Sequence, residues 1–339
     1  MKKYLFFPGC SLERNARSYY DSIMAIRDDL DIEFEEIQDY NCCGATEYTS
    51  IHRLGSFALL GRNLALAEKQ SNGTHTMTVP CSACYLNLSK TEHYLRTDAH
   101  LAGQVNQALE AGGLHYNPGM LDIRHILDII FNDVGIDVIK SKVVHPLTGL
   151  RVASYYGCMI IRPDYENRFP DPEYPDLLEK LMSALGAEVI DYPLRAHCCS
   201  GHMPSISAPV AYELIRRLIH TADEYKADVL VTLCPMCQLN LDAYQPDMNR
   251  HFNTNYHVPI LYFTQLMGLA FGKTAKELGI GKEFIDARPA LSRIGIEVPP
   301  AEPAPEVRHP RKKEEGLPMP KMPAKNMSAS SQGGKDEVK

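Results

Sequence analysis

The cysteines constrain this chain more than any other feature. All ten fall into two copies of one pattern: Cys10, Cys42-Cys43, Cys81 and Cys84, then Cys158, Cys198-Cys199, Cys234 and Cys237. As spacings, the copies read C-x31-C-C-x37-C-x2-C and C-x39-C-C-x34-C-x2-C, with no thiol left over. A repeated order of this kind points to two equivalent sites of five soft ligands each, a donor set suited to iron–sulfur chemistry.

Three other chemistries account for parts of the pattern. A disulfide framework fits an even count, but the short apolar stretch at the N-terminus, MKKYLFFPGCSLERN, is broken by Pro, Gly and Glu, so a cytosolic setting is expected, where disulfides are rare. Zinc could join the two C-x2-C pairs in one four-thiolate site, which leaves six cysteines without a role, or it could occupy one five-cysteine set and leave one thiol over. Cys234-Pro235-Met236-Cys237 also has the form of a thioredoxin-type dithiol behind a strand, Val229 to Leu233, where a helix N-terminus would lower the first thiol's pKa. The matching Cys81-Ser82-Ala83-Cys84 and the cysteines upstream of both pairs weigh against that reading.

The segments between the cysteines repeat as well. Tyr4 to Phe7 and Val152 to Tyr155 read as buried strands, each leading through a glycine, Gly9 or Gly157, to the first cysteine. Helical patterns follow at Ala16 to Leu30 and Pro175 to Leu185, strands at Ile32 to Ile37 and Glu188 to Tyr192, and then the vicinal pairs. Longer helices at Ser56 to Lys69 and Ser207 to Tyr225 precede strands at Thr76 to Val79 and Val229 to Leu233, which end at the C-x2-C. Alternation of this kind predicts an α/β fold of two tandem modules, each a small, mainly parallel sheet flanked by helices, with cysteines at the carboxyl ends of the strands. Between the modules, loops at 111–119 and 141–149 are expected to flank one helix, Leu121 to Asn132, and the boundary is placed near residue 145. The predicted domains are 1–145, 146–297 and a Pro- and Lys-rich tail, 298–339, that is too polar to fold alone and is expected to be disordered unless it docks on a partner.

With its two vicinal pairs, Asn41-Cys42-Cys43-Gly44 and His197-Cys198-Cys199-Ser200-Gly201, each followed by C-x2-C, the chain resembles the heterodisulfide reductase B subunit, whose CCG domains carry this motif. The segment His257 to Leu266 is similar to that subunit's closing helix, and the resemblance spans about residues 1–290. It implies a noncubane [4Fe-4S] cluster on Cys10, Cys42, Cys43, Cys81 and Cys84, and a second on Cys158, Cys198, Cys199, Cys234 and Cys237. One [4Fe-4S] cluster with one zinc is the alternative. The resemblance also implies reduction of a small-molecule disulfide, or thiol oxidation in reverse, between the two clusters. Its expected partners are the family's ferredoxin-like C subunit and flavin-containing A subunit. An electron relay without its own substrate is the other class of function: open space between the two cysteine sets would favour the enzyme, a protein-filled gap the relay. Ser200 stands where the family has the glycine of Cys-Cys-Gly.

The rest of the sequence narrows the function. A net charge of -7 without a basic, aromatic-interleaved run argues against nucleic acid, and no apolar run is long enough to span a membrane directly. No dinucleotide, P-loop or HExxH motif is present, so electrons have to come from a partner. His197 and His202 are candidate proton donors, and Arg62 and Arg195 candidate anchors for an anionic substrate, each with packing or surface roles as the plainer reading.

Overall fold

A computed structural model describes residues 1–300 except 46, 47, 167, 170 and 299. Two sheets form, each of four parallel strands: β1 (Lys2–Phe6), β2 (Ile32–Glu36), β3 (Thr76–Val79) and β4 (Asp122–His125) in the order β2-β1-β3-β4, then β5 (Arg151–Tyr155), β6 (Glu188–Ile190), β7 (Val229–Thr232) and β8 (Ile260–Tyr262) in the order β6-β5-β7-β8. Crossover helices cover parallel sheets on both faces, so their central strands are continuously apolar. All of β7 is buried, and Leu5 and Phe6 of β1 are fully buried too.

In each sheet the chain moves outward from the first strand to the second, then returns across it to the third. The strand order therefore reverses between β1 and β3, and between β5 and β7, and a crevice opens outside the carboxyl ends at such a switch point. Cys10 and Cys81 follow β1 and β3, and Cys158 and Cys234 follow β5 and β7. One thiol at each end of the switch is thus fixed by topology.

The expected strands and helices form close to their anticipated limits, for example the helices Arg17–Ile26, Arg53–Gln70 and Ala208–Glu224. Two assignments are corrected. The stretch from Leu121, expected as helix, begins with β4, in which Ile123 and His125 are buried and Asp122 is exposed. That two-residue period is too short to stand out from the apolar run behind it, which forms a helical turn, Ile126–Asp128, and a π-helical turn, Ile129–Val134. Likewise the segment expected as a closing helix starts as β8, paired Leu230 to Ile260, and only Phe263–Ala270 is helical. The Gln265 side-chain carbonyl accepts the Tyr262 N–H at 2.8 Å and fixes that helix start. Apart from residues 298 and 300, the expected tail lies outside the described residues.

The Phe263–Ala270 helix packs on Arg17–Ile26 of the first half, with Ser22 and Thr264 hydroxyls 2.6 Å apart and Lys273 paired to Asp29 at 2.9 Å. At the same junction Tyr19 and Tyr262, both buried, stack with ring centroids 4.2 Å apart. The Tyr19 hydroxyl lies 3.3 Å from both the Pro80 and the Leu233 carbonyl, each one residue before a C-x2-C. One side chain thereby gauges the distance between the two cysteine loops.

Candidate functional site

Each half delivers its five thiols in the same way. The cysteine after the first strand follows a glycine in the left-handed region, Gly9 at φ +73° and Gly157 at φ +70°. A Cβ on either glycine would stand 2.9 Å from the sulfur of Cys84 or Cys237, so only glycine admits the C-x2-C sulfur so close to the turn. The C-x2-C opens a helix in both halves, Ser82–Thr97 and Pro235–Ala243. The vicinal pairs lie on loops beyond β2 and β6.

All ten cysteines are free thiols, and their exposure repeats. Cys43, Cys81, Cys84, Cys199, Cys234 and Cys237 are buried, whereas Cys10, Cys42 and Cys198 are exposed and Cys158 is half-buried. Each set therefore has a buried floor of three sulfurs and an open edge of two. Cys10 donates to Cys42 Sγ at 3.6 Å and Cys84 to Cys43 Sγ at 3.2 Å. Among the described residues no three His, Cys, Asp or Glu side chains converge on one ion-sized point; the thiols meet in pairs.

Such pairing stabilises thiolate on the acceptor at the donor's expense. The hydrogen bond from Cys10 lowers Cys42 to about 2, and that from Cys158 lowers Cys198 to about 6. Cys43 is pushed up to about 11, chiefly by its hydrogen bond to Cys42. Across the junction, Cys234 is lowered by its neighbours Cys237 and Cys81, while Cys81 is raised by Cys234 and by burial.

Four cysteines of the second set, Cys158, Cys198, Cys199 and Cys234, and the fifth, Cys237, line one small cavity. A neighbouring cavity of about 550 Å³ shares Gly201 and Met236 with it. Ser11 and Asn15, just beyond Cys10, close the far side, with His202 and Tyr244 also on the wall. This space is bounded by residues of both halves; no cysteine lines it, although Ser11 directly follows Cys10, and Pro235 and Met236 lie between Cys234 and Cys237.

The other sequence candidates separate. His202 reaches the shared cavity, whereas His197 is exposed and its carbonyl accepts the Tyr155 hydroxyl at 2.7 Å. Neither arginine is available as a substrate anchor. Arg62 binds Asp39, and Arg195, buried, is paired with Glu179 at 3.0 Å and with Asp191.

Sequence reasoning missed two asparagines. Asn87 donates to the carbonyls of Cys43, at 3.3 Å, and Ala45; Asn240 donates to those of Cys199, at 3.1 Å, and Gly201, at 2.7 Å. Each ties a vicinal-pair loop to the helix carrying the C-x2-C. The signal was present, since both copies read C-x2-C-x2-N.

Comparison with known proteins agrees with this architecture. The family described as "CCG: Cysteine-rich domain" matches residues 4–89 and 152–242. The chain is 36% identical over 286 residues to the 8-methylmenaquinol:fumarate reductase membrane anchor subunit of Wolinella succinogenes, covering 84% of this chain and 98% of that protein. It is 30% identical over 297 residues to the B subunit of the Ferredoxin/F(420)H(2)-dependent CoB-CoM heterodisulfide reductase of Methanosarcina acetivorans, covering 87% and 97%. A protein of Archaeoglobus profundus, named as like the heterodisulfide reductase B subunit, is 30% identical, with 80% and 91% covered. Among solved structures, a hypothetical protein from Helicobacter pylori shares the fold with a TM-score of 0.66 at 13% identity; 84% of this chain is covered, and the chain spans about half, 52%, of that protein. Two cysteine-rich modules, together with relatives of this similarity over most of the chain, show that it belongs to the family of heterodisulfide reductase B subunits.

Proposed function

We propose that the chain is the disulfide-reducing, or in reverse thiol-oxidising, component of a heterodisulfide reductase-type complex, with noncubane [4Fe-4S] clusters held by Cys10, Cys42, Cys43, Cys81 and Cys84 and by Cys158, Cys198, Cys199, Cys234 and Cys237. The donor set fits such groups: five soft sulfurs per site, one more than a cubane takes, around a cavity in the second set and against a glycine turn in both. When bound, such clusters supply electrons one at a time and iron with an affinity for sulfur.

A cavity walled by both halves, with sequence neighbours of their cysteines in its lining, supports the enzyme reading, because it offers space for a small molecule where a relay needs none. Its wall contains Ser11, Asn15, His202 and Tyr244, groups that orient a small molecule by hydrogen bonds, and Met236 and Leu239, which exclude water. The reaction balances as R–S–S–R′ + 2 e⁻ + 2 H⁺ → RSH + R′SH. Its electrons come from a one-electron donor, the ferredoxin-like C subunit, fed by the flavin-containing A subunit. Both are assigned on family grounds, as is a cytoplasmic location; no helix among the described residues is long and apolar enough to cross a membrane.

A second reading has its own support. The Wolinella relative is named a membrane anchor subunit of a quinol:fumarate reductase, which suits a protein that relays electrons and meets a membrane through its partners. Iron, acid-labile sulfide and zinc quantification on the anaerobic protein, with EPR, tests the cofactors: about eight iron and eight sulfide per chain are expected, and four iron with one zinc would sink the paired-cluster reading. Thiol-induced EPR signals unlike those of cubanes, and turnover of low-mass disulfides with a chemical reductant, are the enzyme's result. Redox-active clusters blind to every disulfide are the relay's.

A further inference from the structure

The cavity lined by the second cysteine set is not built by the second half alone. Ser82, from the first half, is part of its wall. This serine follows Cys81 directly, at the first position of the Ser82–Thr97 helix, and it is 1% exposed. Its hydroxyl has no hydrogen-bond partner. A buried hydroxyl without a partner destabilises the fold, and alanine would fit a first helical position without that cost. Five sulfurs face the same cavity, and thiolates and sulfide accept hydrogen bonds.

We infer that Ser82 donates a hydrogen bond across the junction to the sulfur-rich group held by the second cysteine set, and that the two sites are therefore electronically unequal. The Tyr19 hydroxyl, 3.3 Å from both the Pro80 and the Leu233 carbonyl, holds the serine's own loop beside that set. The equivalent position in the second half, directly after Cys234, is Pro235, which has neither a hydroxyl nor an N–H to give in return. The first set thus receives no matching bond from that position. Hydrogen bonds to cluster sulfurs spread the negative charge of the reduced state and raise its potential. With all else alike, the second site is the easier to reduce, and it reaches that state only when packed against the first half. Ser82 is a positioning residue here, acting through the sulfur it binds.

The inference rests on the cluster assignment but not on disulfide chemistry, so an EPR-monitored redox titration of the full, cluster-loaded chain tests it without any substrate. The second set's signal is assigned by its loss in Cys158→Ser. In Ser82→Ala the midpoint of that signal should move to more negative potential while the first set's stays in place, and Ser82→Thr should restore it. Thermal unfolding of the metal-free chain supplies a readout that a structural role would move: Ser82→Ala should not lower the midpoint, because its hydroxyl supports nothing in the protein itself. Unchanged midpoints, equal shifts of both signals, or a destabilised metal-free Ser82→Ala would each overturn the inference and leave the cluster assignment standing. Iron confined to the first set would overturn both.

Discussion

The two halves hold their thiols almost identically and surround them differently. Both place a glycine against the C-x2-C sulfur, both bury three sulfurs, and both anchor the vicinal loop with an asparagine three residues past the last cysteine. Around that frame, Gly44 becomes Ser200, Ser82 becomes Pro235, and Ser89, whose buried hydroxyl has no partner, becomes Asp242, which accepts the Phe284 and Ile285 N–H groups at 2.9 and 2.8 Å. Duplication preserved what a five-sulfur site needs and released everything else. Specialisation of one site over the other therefore has to be sought among neighbours of the ligands.

The largest expected effect tests the shared part of the frame. Asn240→Ala removes the donor to two carbonyls of the second vicinal loop, and Asn87→Ala does the same in the first. Each should cost about 2–4 kcal/mol in urea unfolding, since buried carbonyls lose their partners. Comparable losses in both variants sustain the equivalence of the two loops; a loss in one alone breaks it.

Asp242 sharpens the contrast through pH. Burial raises its carboxyl from the ordinary 3.8 to about 6. The folded chain then holds this proton more tightly than the unfolded chain, so the group favours folding most at acid pH. That advantage should fall by about 2–3 kcal/mol as pH rises from 4 through 6, and level off above. Subtracting the stability–pH profile of Asp242→Asn from that of the parent isolates the effect. A difference that is flat between pH 4 and 7 would contradict it, and no such difference is expected on replacing Ser89 by Ala.

A smaller effect concerns the residue after each vicinal pair. Ser200 occupies the left-handed region at φ +83°, close to Gly44 at φ +74°, so the serine adopts the glycine's conformation rather than shifting the turn to Gly201. A side chain there is strained by about 1 kcal/mol or more. Ser200→Gly should gain about 1 kcal/mol, whereas Gly44→Ser should lose at least as much, because its Cβ would meet Tyr48 Cβ at 3.0 Å. Opposite midpoint shifts in denaturant, the Gly44→Ser loss at least as large as the Ser200→Gly gain, are the expected reading; a destabilising Ser200→Gly would mean that the serine hydroxyl holds the loop.

Much of the molecule was legible in advance for a physical reason. Strands such as Val229 to Thr232 are buried throughout and almost wholly apolar because both their faces are covered, and the glycine before each first cysteine signals a backbone turn that no other residue makes cheaply. Short edge elements were not legible. β4 and β8 have four and three residues, too few for a period to outweigh the helical run that follows each. Arg62 and Arg195 showed charge in the sequence without showing the carboxylates that neutralise them, because those partners depend on how the loops fold back.

By itself the sequence determined the two five-cysteine sets and the parallel α/β order, because each depends on spacing along one continuous stretch of chain, whereas Asn87 and Asn240 stood in that pattern without showing that they brace the loops. Only the tertiary structure decided that Tyr19 bridges the Pro80 and Leu233 loops, that Ser82 faces the other set's sulfurs, and that a cavity opens between Ser11 and Tyr244. Those contacts join residues about 60 to 230 positions apart, and they are fixed by the packing of one half's helices and loops against the other, which no local pattern encodes.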